Sequence, residues 1–357
     1  MKTHPAISFV SLIFTVLGSV LLLQTNSAFA ELSKPTPRVD HECSRIAKKL
    51  SSVGYKECLS RQLQHSGSVS TQGAPILIKE FPPLENREPM GRVLLVGGIH
   101  GDEYSSVSVT FKWLKTLDKY HSGLFHWRIS PLMNPDGLLK KKSTRTNANG
   151  VDLNRNFPTR DWKEKSKYYW EVKTRKNPRR YPGPEPLSES ESRWFYDEIN
   201  NFKPDIIIAV HAPYGIVDFN HNGHTDAPNR LGRLHLNLLG TYPGSLGNFA
   251  GMQRRIPVLT IELQHAGIMP SPSEINDIWV DMIRWLKQNM PEDNSTEPVD
   301  LEKELRLALG DQILGDQILD DQIMGDQILV DQVLGDQTLG DGSQVDQKKS
   351  GSNNVLN

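Results

Sequence analysis

Two histidines and two glutamates stand where apolar runs of this 357-residue chain stop. Val93-Leu94-Leu95-Val96 runs out into Gly97-Gly98-Ile99-His100-Gly101-Asp102-Glu103, which sets an imidazole and a carboxylate three residues apart on a glycine-rich turn. Ile206-Ile207-Ile208-Ala209-Val210 is followed at once by His211, and Ile256-Pro257-Val258-Leu259-Thr260-Ile261 by Glu262. Imidazole nitrogen and carboxylate oxygen are zinc ligands, and a catalytic zinc takes three protein ligands while a fourth position stays open. His100, Glu103 and His211 make such a set. Glu262 is left over as an acid or base. Each residue alone has a plainer reading, since His-x-x-Glu arises by chance on surface turns and a lone histidine after a strand is usually a hydrogen-bonded core side chain. Three independent runs that end this way favour the metal.

The elements that must position these residues are legible from periodicity. Short apolar runs read as buried strands, here Ile76–Ile78, Val93–Val96, 206–210 and 256–261, and Phe125 to Ile129 looks like another strand. Ser105 to Tyr120 carries Val107, Phe111, Leu114 and Leu117 at helical spacing, and Asn276 to Met290 reads as a closing helix. Ser188 to Phe202 is expected to be a helix with Ser188 as N-cap and Glu191 in a capping box. Strands alternating with helices give an α/β sheet covered on both faces, with ligands bound at the carboxyl ends of strands.

Composition divides the chain. Residues 1–30 are expected to be a cleavable export signal, with Lys2, an apolar run from Ala6 to Leu23 and Ala28-Phe29-Ala30 as cleavage site. An uncleaved membrane anchor is the alternative. The cleavage site favours removal after Ala30, hence a periplasmic or secreted protein with no stable membrane insertion. Residues 31–63 form an N-terminal extension holding the only two cysteines, Cys43 and Cys58. In an oxidising compartment a disulfide is the favoured state over two free thiols. Residues 64–292 carry the chemistry.

In the acidic tail, residues 293–357, Asp-Gln recurs every five residues from Asp311. That period gathers apolar side chains on no single face, and six units are too few for a solenoid, so the tail is expected to be disordered and not catalytic. With net charge −1 overall and fifteen acidic against four basic residues from Pro291 onward, the body from Glu31 to Met290 holds nine excess positive charges. Such a body attracts anionic partners. From Arg160 to Arg180 nine basic residues face three acidic ones among aromatics. A long solvated loop at a site mouth is favoured there over nucleic-acid binding.

His100-Gly101-Asp102-Glu103, Asn134-Pro135-Asp136-Gly137, Gly150 to Pro158, Pro186-Leu187-Ser188-Glu189-Ser190-Glu191, His211, Tyr242 to Gly247 and Thr260-Ile261-Glu262 together resemble the zinc carboxypeptidase family. The likeness is greatest to its bacterial murein peptide amidase (γ-D-glutamyl-diaminopimelate peptidase) branch and runs from about Gln64 to Met290. It implies a mixed, mostly parallel sheet and one zinc per chain. It also implies roles: Glu262 as general base, Arg145 as the cation for charge developing on the scissile carbonyl, and Asn154 with Arg155 as the grip on the substrate's terminal carboxylate. The family also caps its substrate with a tyrosine, and Tyr242 is either that residue or a packing residue. Asp152 is expected to be a loop hydrogen-bonder. His221 and His224 are a second metal pair or, the favoured reading, part of a solvated loop. His265 is placed at the pocket, and His121 and His126 at the surface.

The expected protein is an exported zinc metallopeptidase that hydrolyses an amide bond next to a free carboxylate, in diaminopimelate-containing murein peptides. A general metallocarboxypeptidase and a non-catalytic zinc- or peptide-binding module are the competitors. The intact Glu262 argues against the last.

Overall fold

The structure, a computed structural model, describes residues 37–290. The expected export signal and repeat tail lie outside the described residues. In chain order the elements are α1 (Pro37–Lys49), α2 (Tyr55–Ser60), β1 (Gln64–Val69), β2 (Pro75–Phe81), β3 (Arg92–Val96), α3 (Tyr104–Tyr120), β4 (His126–Ser130), α4 (Pro135–Leu138), α5 (Trp162–Tyr168), α6 (Ser190–Phe202), β5 (Ile206–His211), β6 (Ile216–Asn220), β7 (Arg230–Leu231), β8 (Leu234–Leu236), β9 (Val258–Glu262) and α7 (Pro272–Asn289).

The strands form one sheet in the order β1-β2-β4-β3-β5-β9-β6-β8-β7. Its centre, β4-β3-β5-β9, is parallel throughout. The borders bring in antiparallel pairs: β1 on β2, β2 on β4, β6 on β9 and β7 on β8. This is the mixed α/β sheet expected from the sequence, with its parallel part in the middle.

Strands covered on both sides favour apolar residues at successive positions, which is why β3, β5 and β9 are nearly continuous apolar runs, whereas β4 carries half-buried His126 and Arg128. Side chains alternate between faces. Val93, Leu95, Ile206, Ile208, Leu259 and Ile261 join one apolar cluster with residues of α3 and α7. Leu94, Val96, Ile207, Ala209 and Val258 join a second with Trp194, Phe195, Ile199 and Phe202 of α6. Helices therefore cover both faces. Each fully buried Val, Leu, Ile or Phe stabilises the fold by about 1.5–3 kcal/mol.

The cysteine segment belongs to the first of these clusters. Val39, Cys43, Ile46 and Leu50 lie on one stripe of α1 and are buried in it, and Cys58 of α2 is bonded to Cys43. Two helix ends differ from expectation. α6 begins at Ser190 with Glu189 as N-cap and no side-chain cap, because Ser188 Oγ is engaged by Asn156 Nδ2 at 3.0 Å and by Glu189. Glu191 meets Thr71 instead. The capping box stands at α7: Ser271 Oγ accepts from Glu274 N, and the Glu274 carboxylate accepts from Ser271 N.

Candidate metal centre and cleft

The carboxyl end of β3 leads through Gly98, whose φ of +61° a side chain would resist, into the turn that holds His100 and Glu103. β5 ends in His211. These three side chains, all buried, converge: His100 Nδ1 lies 2.8 Å from Glu103 Oε1, His211 Nδ1 lies 3.0 Å from Glu103 Oε2, and the two Nδ1 atoms are 3.1 Å apart. They form a group able to hold a metal ion. Burial would raise the Glu103 pKa, but the two imidazoles hold it well below the ordinary carboxylate range.

Asp152 lies behind this group. Its Oδ1 is 3.1 Å from His100 Nε2, its Oδ2 accepts from Arg145 Nε at 3.0 Å, and it is wholly buried. Burial opposes its ionisation, yet Arg145 and His100 bring its pKa far down. Asp152 is thus more than the loop hydrogen-bonder expected. A carboxylate on the far nitrogen of a metal-binding imidazole fixes the ring's orientation and leaves the near lone pair free. Arg145 Nη1 also lies 3.5 Å from Glu103 Oε1, and the Arg145 carbonyl accepts from Gly101 N in the metal-site turn.

Glu262 is the strand partner of His211 in the parallel β5–β9 pair, so both side chains leave the sheet on the same face. It is 7% exposed, its Oε2 has no hydrogen bond, and burial pushes its pKa up. On the other side of β9, Asp218 and Asn220 of β6 pair with Thr260 and Val258. The polar side chains of β5, β9 and β6 on this face become the floor of a cleft of about 490 Å³.

Arg145, Asn154, Arg155 and Tyr242 line the same cleft. Asn154 Oδ1 accepts from Leu246 N at 2.8 Å, and the Arg155 guanidinium lies 4.4 Å from the centre of the Tyr242 ring. Tyr242 also packs against Tyr169, so it faces the cleft and packs at once. Gly244, at φ +74°, lets the chain pass so near the Arg155 carbonyl that a Cβ there would overlap it.

The sequence reading assigned no role to Asp218, Tyr169, Arg179 or Arg180, which also line the cleft. The last three come from the segment expected to be a solvated loop at a site mouth; it does reach the cleft, but it is partly helical as α5 and buries Trp162 and Ser166. Its interleaved aromatics were the available signal. His265 is exposed and does not line the cleft, although its neighbour Ala266 does. His121 and His126 are half-buried with partners, the Pro82 carbonyl and Glu80. His221 and His224 join no group of metal-binding side chains among the described residues.

A family model described as zinc carboxypeptidase matches residues 62–230. Murein peptide amidase A of Escherichia coli (strain K12) is 35% identical over 158 residues, 43% of this chain and 61% of that protein. The chain thus matches about three-fifths of that relative's length. Murein peptide amidase A of Vibrio campbellii is 31% identical over 201 residues, 54% of this chain and 76% of that protein. Carboxypeptidase A from Helicoverpa armigera shares the fold, with a TM-score of 0.51 at 16% identity over 68% of this chain and 73% of its own. With those matches and this site, the chain belongs to the zinc carboxypeptidase family.

Proposed function

We propose that the protein is an exported zinc metallopeptidase that hydrolyses an amide bond next to a free carboxylate, with diaminopimelate-containing murein peptides as substrate. The observation that most supports this reading is the convergence of His100, Glu103 and His211, with Glu262 in register across from His211. The donor set fits zinc. Two imidazole nitrogens and a carboxylate meet within hydrogen-bond distance, and Asp152 takes the outer nitrogen of His100. Zinc held there supplies Lewis acidity, which polarises a carbonyl oxygen and acidifies water.

The chain's own residues supply the rest. Glu262, kept from full solvation with an oxygen free, accepts the proton of the attacking water and passes it to the departing amine. Arg145, anchored through Nε by Asp152, presents a fixed cation toward charge developing on the carbonyl oxygen. Asn154 and Arg155 grip the free carboxylate of the leaving residue, for which a planar guanidinium fork is suited. Asp218 on the cleft floor suits an amino group on that residue's side chain. The murein assignment draws on the similarity to the two murein peptide amidases and on the positive body. Export rests on residues 1–30 of the sequence.

Hydrolysis of L-alanyl-γ-D-glutamyl-meso-diaminopimelate, compared with simple C-terminal dipeptides, tests the proposal with and without a chelator. Chelator-sensitive, zinc-restored cleavage of the tripeptide is expected. Cleavage of ordinary peptides alone assigns a general carboxypeptidase. Zinc bound with neither substrate cleaved leaves a binding module and sinks the enzyme reading.

A further inference from the structure

Four arginines line the cleft, and three have an evident task or partner. Arg145 is held by Asp152 and Glu103, and Arg179 by Asp102 at 2.5 Å. Arg155 is the grip on the terminal carboxylate under the reading above. Arg180 is half-buried and makes no ion pair and no side-chain hydrogen bond among the described residues.

Its place is fixed from both sides. Asn177 Oδ1 accepts from Arg179 N, which starts the short turn Pro178–Arg180. Directly after it, the Tyr181 carbonyl accepts from Asp152 N at 2.8 Å and the Pro182 carbonyl from Asn156 Nδ2 at 2.8 Å. Those two bonds straddle Asn154-Arg155. Arg180 is therefore held on the Arg155 side of the cleft, whereas Arg179 reaches to the metal-site turn.

Arg155 is 5% exposed; its Nη1 donates to the Asn154 carbonyl, and its Nε is buried without a partner among the described residues. This corner thus holds two guanidinium groups with no carboxylate paired to either among the described residues, and the Tyr169 and Tyr242 rings beside them. Cations in a partly desolvated cleft repel one another unless an anion is shared between them. Burial lowers the Arg155 pKa; the Asp152 carboxylate offsets part of that, and Arg145 and Arg180 lower it further. One carboxylate satisfies one fork. Two forks call for two.

We infer that Arg180 is a specificity residue that binds a second carboxylate, carried on the side chain of the leaving residue whose terminal carboxylate Arg155 holds. The inference rests on the peptidase reading and deepens it. The enzyme selects leaving residues that are dicarboxylates over otherwise equal monocarboxylates.

Meso-diaminopimelate and lysine differ by one carboxylate at the far end of the side chain, so they isolate this contact. The full-length zinc enzyme and its Arg180→Gln and Arg180→Lys variants are compared on L-alanyl-γ-D-glutamyl peptides that end in either residue. A charge-assisted contact predicts a kcat/KM ratio of about ten- to a hundredfold for diaminopimelate over lysine, carried mainly in KM. Arg180→Gln should bring the ratio near one, and Arg180→Lys should restore part of it, since charge is kept and the fork is lost. A wild-type ratio near one, or a ratio that survives Arg180→Gln, overturns the inference while the peptidase reading stands. Turnover of neither peptide defeats the murein-peptide reading itself. Calorimetric binding of free meso-diaminopimelate and free lysine then decides: diaminopimelate preferred, with the preference lost in Arg180→Gln, supports the subsite, and equal or absent binding overturns it.

Discussion

The metal-site end and the arginine corner of the cleft treat charge in opposite ways. At the metal-site end the charged groups, Glu262 apart, are answered. Glu103 meets both imidazoles, and Asp152 meets His100 and Arg145. In the corner, Arg155 and Arg180 form no ion pair with a carboxylate among the described residues. Balanced polar groups in a low-dielectric site hold one another in place, and unanswered ones wait for a ligand of opposite sign. The first region is organised to keep an ion, the second to admit a substrate.

Several substitutions can break or sharpen this contrast. The largest expected effect comes from metal removal: a chelator should take hydrolysis below detection, and added zinc should restore it, followed in one continuous assay. Glu262→Gln should lower kcat by about 10²–10⁴ with zinc content by elemental analysis unchanged. Loss of zinc in that variant would make Glu262 a ligand instead of a base. Asp152→Asn should weaken metal affinity about ten- to a hundredfold in competition with a chromophoric chelator, because the His100 ring loses its anchor. Arg155→Ala should raise KM about ten- to a hundredfold at unchanged zinc affinity, which would separate the two regions. The smallest effect is expected at a site remote from both. Ser271→Ala should cost about 1 kcal/mol in urea denaturation and leave KM and zinc affinity alone.

What could be read from the sequence follows the same division. β3, β5 and β9 are buried on both faces, so their runs are unbroken and the residues at their ends could be picked out at once. β6 escaped because it is short. Val217 and Phe219 enter the core while Asp218 and Asn220 face the cleft, but five residues show little of the alternation that marks a strand, and the strand runs on into polar Asn220-His221-Asn222-Gly223, which reads as a loop. Arg180 was lost in a run of nine basic residues, since charge count does not tell which cation is held beside Arg155. α1 was legible in principle from the spacing of Val39, Cys43, Ile46 and Leu50, but the cysteines drew attention from it. At α6 the capping pattern misled because Ser188 and Glu191 are recruited by Asn156 and Thr71, contacts far along the chain that no local rule contains.

The proposed chemistry of the cleft depends on one ion held by His100, Glu103 and His211. Zinc stoichiometry of the purified protein, joined to X-ray absorption at the zinc edge, tests that most directly. One zinc per chain with two imidazole nitrogens and carboxylate oxygen in its shell, lost in His211→Ala, is the expected result. A zinc-free protein that still hydrolyses its substrate, or a zinc shell unchanged by His211→Ala, would contradict it.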